Sequence, residues 1–276
     1  MKHKMMIAAI GMAGVLLLSG CGTEIGRGSS RAKEKVREFS LDEFDNYSKW
    51  SQMGNESGTL ISQGEDGMNG DYYHTLSGMS AYSSGKIVIG DSRCVQLGLY
   101  EEACGYDDFA VFAVWGGHYN EWCDYRILDD ENFSDIRACF EEQVRQTGKC
   151  KIYIFATIND YDYIGSANEG NIDIAVDAAK RLSEMSTTYM GKEVCPDIRV
   201  IGFAGCDEED GLYGIPGYTY NGLIDDFNSR LSDKLGEAGF YGFMTVADIV
   251  GSAGFISDGL HYDEETVKGL IGYIGG

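Results

Sequence analysis

The sequence predicts an α/β domain built on a five-stranded parallel sheet with helices on both faces. Three observations predict it. From Lys86 onward, short apolar, β-branched runs alternate five times with longer helix-like stretches. The runs are apolar throughout, as strands buried on both faces are, and do not alternate in polarity. The chain of 276 residues is long enough for one such domain plus a leader.

The elements follow in order. Lys86–Gly90 reads as the first strand, and about Cys94 to Glu102 as a helix. Phe109–Val114 is the second strand, followed by a helix from Ser134 to Gln146 with Ser134 as its N-cap. Lys151–Ala156 is the third strand. A long helix from about Asn168 to Met190 leads to the fourth, Ile198–Phe203. Tyr220–Ala238 is helical and stops at Gly239, the residue type that most easily takes the left-handed C-cap. Phe243–Ala247 is the fifth strand and Glu264–Ile274 the final helix. Alternation of this kind implies a parallel sheet covered on both sides, with its site at the carboxyl ends of the strands.

The residues before Lys86 read differently. Lys2, His3 and Lys4 precede an apolar run from Met5 to Leu18, too short to span a bilayer comfortably and laid out like a secretory signal. Leu18-Ser19-Gly20-Cys21 resembles a bacterial lipobox, which makes Cys21 the expected lipidation site. The expected organisation is a lipoprotein signal peptide over 1–20, a tether over 21–38, an extension packed on the domain over 39–84, and the main domain over 85–276. Ser40 and Glu43 could form a capping box in the extension. The expected location is extracytoplasmic, with the protein held on the cell membrane by lipid.

A net charge of −22 argues against nucleic acid as a partner. Export permits disulfides, and Cys94, Cys104, Cys123, Cys139, Cys150, Cys195 and Cys206 are available. Cys150 and Cys195, placed before neighbouring strands, are the expected pair. Cys94 with Cys104, and Cys195 with Cys206, are too far apart along their elements to bond. No Cys-x-x-Cys, calcium loop or phosphate loop is present, and neither metal nor cofactor is expected. The acidic groups Asp107-Asp108, Asp129-Asp130 and Glu208-Glu209-Asp210 read as solvated surface.

Chemistry concentrates at three strand ends. Gly90-Asp91-Ser92-Arg93 follows the first strand, where helix N–H groups would face a developing oxyanion. Thr157-Ile158-Asn159-Asp160 follows the third strand, and Gly116-Gly117 the second; an Asn amide and a glycine N–H there could serve the same oxyanion. Ser257-Asp258-Gly259-Leu260-His261 precedes the last helix, so one loop could deliver a base and the carboxylate that orients it. Beyond the leader the histidines are His74, His118 and His261.

Together and in this order these groups resemble the SGNH (GDSL-type) hydrolase family, over about Lys86 to the end. The resemblance implies a flavodoxin-like three-layer α/β/α sandwich. It implies Ser92 as nucleophile, His261 as general base, Asp258 as its carboxylate partner, and Ser92, Gly117 and Asn159 as oxyanion donors. Arg93 stands where the family motif has leucine, and Thr157 where its third block has glycine and could crowd the site. Trp115, Tyr119, Trp122, Tyr161, Tyr163 and Tyr262 cluster around these segments and suit sugar rings or a bulky acyl group. Two readings follow. One is a serine esterase, with an acylated carbohydrate such as an O-acetyl glycan as candidate substrate. The other is a non-catalytic surface lipoprotein that binds a glycan or protein partner through the same cleft.

Overall fold

The structure is a computed structural model and describes residues 60–61, 72–74, 83–104, 106, 108–119, 125–160, 169–206, 217–256 and 258–276. The leader, the lipobox with Cys21, the tether and the Ser40–Glu43 box lie outside these residues, as do Cys123, Trp122, Tyr161 and Tyr163.

Among the described residues the strands are β1 (Leu60–Ile61), β2 (Tyr72–His74), β3 (Lys86–Gly90), β4 (Ala110–Val114), β5 (Lys151–Phe155), β6 (Thr187–Tyr189), β7 (Lys192–Val194), β8 (Asp197–Gly202) and β9 (Met244–Thr245). The helices among the described residues are α1 (Ser92–Cys104), α2 (Asp130–Thr147), α3 (Glu169–Ser183), α4 (Gly217–Glu237), α5 (Val246–Val250) and α6 (Glu264–Gly275).

The main sheet has seven strands in the order β1-β2-β4-β3-β5-β8-β9. The five expected strands are all parallel and run second-first-third-fourth-fifth, the flavodoxin-like order. The expectation of a purely parallel five-stranded sheet needs correction. Two short antiparallel strands from the 39–84 segment extend the sheet beyond β4, with Tyr73 opposite Ala113 and Leu60 opposite Tyr73.

Alternation along the strands divides the interior into two layers. Ile87, Ile89, Phe112, Val114, Ile152, Ile154 and Val200 face one way and pack on α2, α3 and α4. Val88, Val111, Ala113, Tyr153, Phe155 and Ile201 face the other way and pack on α1 and α6. Tyr73 belongs to this second layer and is fully buried. A Cβ added at Gly98 of α1 would overlap its ring, so the close seat of β2 on the α1 helix depends on that glycine.

Three boundaries differ from expectation. Ser134 is not a cap; α2 starts a turn earlier, with Asp129 accepting from the Asn132 amide at 2.7 Å. The long helix ends at Ser183, and the segment up to Met190 instead feeds a β6–β7 hairpin whose turn puts Met190 at φ 49°. The thiols of Cys150 and Cys195 are free, so this expected pair is not bonded. Cys150 is buried at the foot of β5 and Cys195 is exposed; burial pushes the Cys150 thiol up to about 12. Among the described residues no helix is long and apolar enough to cross a membrane.

Candidate active site

Ser92 is the first residue of α1, directly beyond the carboxyl end of β3. The tight corner is fixed by Asp91. Its backbone carbonyl accepts from the Cys94 and Val95 amides, while its carboxylate accepts from the Arg93 amide at 3.0 Å and the Ile158 amide at 3.3 Å. Asp91 is thereby buried as a clip between the Ser92 turn and the 157–160 turn. Gly90 serves by its lack of a side chain, since a Cβ there would press on Cys94 and Phe155.

The loop before α6 brings the other two triad candidates to this corner. His261 Nε2 lies 2.9 Å from Ser92 Oγ, and His261 Nδ1 lies 2.7 Å from Asp258 Oδ2. Asp258 Oδ1 also accepts the backbone amides of Leu260 and His261, both at 2.9 Å. The chain folds back on itself between Ile256 and His261, and Gly259 takes φ 69° to make the turn. Burial opposes the charge on Asp258, but the hydrogen bonds from His261 and the two amides outweigh it and hold the carboxyl below its usual range. Ser92 and His261 are both buried, and the Asp258 side chain is 29% exposed.

The loop is registered by α1 itself. Gln96, fully buried, donates to the Tyr262 carbonyl at 2.7 Å and accepts the Tyr262 amide at 3.2 Å. Arg93 Nη1 donates to the Tyr262 hydroxyl at 3.2 Å, and the guanidinium sits 5.1 Å from the centre of that ring. Burial raises the Tyr262 phenol to about 12, so it remains neutral. Arg93 is thus a buried brace beneath the Ser92 turn. Its Nε and Nη2 have no partner among the described residues.

The oxyanion side departs from expectation at Gly117. Its amide donates to the Val114 carbonyl at 2.9 Å and is not free for a ligand. The amides of Gly116 and Ser92 have no hydrogen-bond partner among the described residues. Asn159 lies in a 3-10 turn, Ile158–Asp160, and its amide donates to the Gly117 carbonyl at 3.1 Å. The second proton of that amide has no partner among the described residues.

Asp160 does more than hold its own turn. Its Oδ2 accepts the Thr157 hydroxyl at 2.7 Å and the Tyr119 amide at 2.7 Å, and its Oδ1 lies 3.5 Å from His118 Nδ1. This one buried carboxylate therefore ties the turn carrying Asn159 to the loop carrying Gly116 and Gly117. Thr157 is accommodated by the same network, because its hydroxyl also accepts the Asp160 amide at 3.2 Å and is buried away from solvent. It binds Asp160 instead of crowding the cleft.

The aromatics divide. Trp115, at the end of β4, stacks beside His261 with centroids 6.5 Å apart and planes at 30°. Tyr119 is buried, with its hydroxyl donating to the Phe155 carbonyl at 3.2 Å, and Tyr262 is buried on Arg93. His74 is remote from the triad. Its Nε2 is 2.7 Å from Asn132 Oδ1 and helps seat β2 against α2. Among the described residues no group of His, Cys, Asp and Glu side chains is arranged to hold a metal ion.

No protein-family model and no curated protein matches this sequence. Solved structures with a similar chain path include the native aryl esterase of M. smegmatis, at 13% identity over 69% of this chain and 95% of that one, TM-score 0.45. A carbohydrate acetylesterase family member from Sinorhizobium meliloti aligns at 15% identity over 69% and 92%, TM-score 0.43. A GDSL-like lipase from Bacteroides thetaiotaomicron aligns at 15% identity over 84% and 96%, TM-score 0.39.

Proposed function

We propose that this chain is a serine carboxyl-ester hydrolase. The single observation that carries the reading is the continuous line Ser92 Oγ, His261 Nε2, His261 Nδ1, Asp258 Oδ2, joined at 2.9 and 2.7 Å. A serine hydroxyl needs a base to become nucleophilic, and a histidine base needs an acceptor on its far nitrogen.

In this mechanism Ser92 Oγ attacks the ester carbonyl carbon while His261 Nε2 takes the hydroxyl proton. The carbonyl electrons move onto oxygen, and the resulting oxyanion is met by the Ser92 and Gly116 amides and the second proton of the Asn159 amide. The intermediate collapses, the C–O bond to the alcohol breaks, and His261 returns its proton to the leaving oxygen. Water then attacks the acyl-enzyme with His261 as base, releasing the carboxylic acid and restoring Ser92. Asp258 steadies the imidazolium at each stage and stays ionised. No step requires a metal or a cofactor. Trp115 beside His261 and a site built at strand ends suit an O-acyl group on a glycan.

The test is hydrolysis of p-nitrophenyl acetate together with fluorophosphonate labelling. The expected result is labelling at Ser92, lost in Ser92→Ala and in His261→Ala without a change in folded structure. A chain that binds glycan yet neither labels nor hydrolyses any short acyl ester would establish the binding-protein reading instead. We also propose an extracytoplasmic protein anchored by lipid on Cys21, a reading supported by the Leu18–Cys21 sequence. Cys21→Ser should move the protein from the membrane to the soluble fraction; retention on the membrane would sink that assignment.

A further inference from the structure

Arg93 stands where a cation is unfavourable on three counts. It is the second residue of α1, in the first turn, where the helix dipole favours anions. It is 2% exposed and makes no ion pair among the described residues. Asp91, the acid beside it, commits its carboxylate to the Arg93 and Ile158 amides. Nε and Nη2, which share one edge of the guanidinium, have no partner among the described residues and are closed off from solvent. A buried cation with unmade hydrogen bonds destabilises a fold. Replacing such a group and its partner by apolar side chains of similar shape is often neutral or stabilising.

What the guanidinium does is confined to Nη1, which donates to the Tyr262 hydroxyl at 3.2 Å. Tyr262 directly follows His261, and its backbone is already gripped by Gln96 at the carbonyl and the amide. Arg93 therefore supplies a second grip, at the far tip of the ring. Arg93 and Gln96 are three residues apart, on one face of α1. Ser92, the residue before Arg93, opens the same helix. The nucleophile and both grips on the base loop thus move as one body. A loop held at Gln96 alone can pivot about that contact and swing the imidazole away from Ser92. A second grip at the phenol removes the pivot. A side chain that breaks local rules at the edge of a site is expected to serve that site.

We infer that Arg93 is a positioning residue for the general base, acting through Tyr262 to hold His261 Nε2 in line with Ser92 Oγ, and that it lowers the stability of the fold in doing so. The inference rests on the esterase reading and adds to it a side chain that makes no hydrogen bond to the triad.

The test is a set of full-chain variants assayed with p-nitrophenyl acetate and by urea unfolding. Arg93→Leu/Tyr262→Phe removes the bond from both sides and leaves neither partner stranded. It should lower kcat about tenfold and change KM by less than about twofold, because alignment is lost and substrate binding is not. Its urea midpoint should equal or exceed that of wild type. Arg93→Lys, which keeps a donor on a more flexible stem, should restore part of the lost kcat. Gln96→Leu, added to the double variant, should lower kcat by a further factor of about 100 or more, against about tenfold or less in the wild-type background, since no grip then remains. An unchanged kcat in the double variant, a midpoint below wild type, or equal Gln96→Leu losses in the two backgrounds would each overturn the inference. Any of these in an active enzyme defeats the positioning role alone. A wild type that hydrolyses no short acyl ester defeats the esterase reading, and the inference with it.

Discussion

In the proposed mechanism the base side of the site and its oxyanion side are held in different ways. On the base side, α1 grips the residue after His261 three times, through both ends of the Gln96 amide and through Arg93. Asp258 adds two backbone amides to its bond with His261. On the oxyanion side, the 157–160 turn and the loop after β4 meet through the Asp160 carboxylate and the contact of Asn159 with the Gly117 carbonyl, while Asp91 and the Tyr119 hydroxyl tie the same region to the Ser92 turn and to Phe155. A base loop fixed by several bonds tolerates the loss of one. The other side concentrates three contacts on one residue, Asp160, which meets the Tyr119 amide, the Thr157 hydroxyl and His118, and the cost of losing that residue can be measured.

The largest expected effect tests the base side at its one irreplaceable point. Asp258→Asn keeps an acceptor but allows the wrong His261 tautomer, and turnover should fall by on the order of 10³–10⁴. The loss should appear in kcat, with little change in KM. The same residue makes a pH prediction. Its folded pKa lies below the ordinary carboxyl value, so its contribution to stability is fully present above about pH 4 and is lost as pH falls through the depressed value. The stability difference between wild type and Asp258→Asn should be flat in neutral solution and shrink in acid; a difference that grew on acidification would mean the carboxylate is not stabilised as described.

Next come the oxyanion residues. Asn159→Ala should lower kcat by on the order of 10²–10³ with KM nearly constant. Asp160→Asn should approach it, at about 10², because a misplaced donor costs nearly as much as a missing one. The two losses should not add in the double variant, since both act on one loop junction. Thr157→Val should show a smaller loss that Thr157→Ser restores. Comparing esters with their thionoester analogues separates alignment from general damage: only lost oxyanion contact should change the oxygen-to-sulfur rate ratio. If Asp160→Asn matched wild type in that ratio, the two sides would be equally robust and the comparison would fail.

Gln96→Leu should cost less than Asp160→Asn, about tenfold or below, because Arg93 and the Ile256–His261 turn still hold the loop. The smallest effect on catalysis belongs to Gly98→Ala. Its methyl would press on Tyr73 and destabilise the fold by about 1–3 kcal/mol, as overpacking does. A lowered urea midpoint with unchanged kcat is the expected pair of readings. An unchanged midpoint would show that β2 does not seat on α1 as tightly as the structure has it.

Much of this was legible from local pattern. Apolar runs locate the five parallel strands, and the strand-end segments that carry Ser92, Asp258 and His261 are the ones whose side chains the structure brings together. The misplacements have a common cause. Asp129 and Ser134 are both good caps in isolation, and only the packed helix selects between them. Gly116 and Gly117 are indistinguishable until the turn commits the Gly117 amide to Val114. Nothing local marks Asp160 out, because its partner, the Tyr119 amide, lies 41 positions away. Tyr73 and His74 carry no strand pattern of their own; β4 supplies the partner that makes them a strand.

The base joins the nucleophile from 169 positions further along the chain. At synthesis rates of about 5–20 residues per second, roughly 10–30 s separate the appearance of Ser92 from that of His261. Throughout that interval the serine has no group to take its proton, however far α1 and the early strands have folded. On the proposed mechanism, reactivity can begin only once the loop before α6 has docked His261 against Ser92.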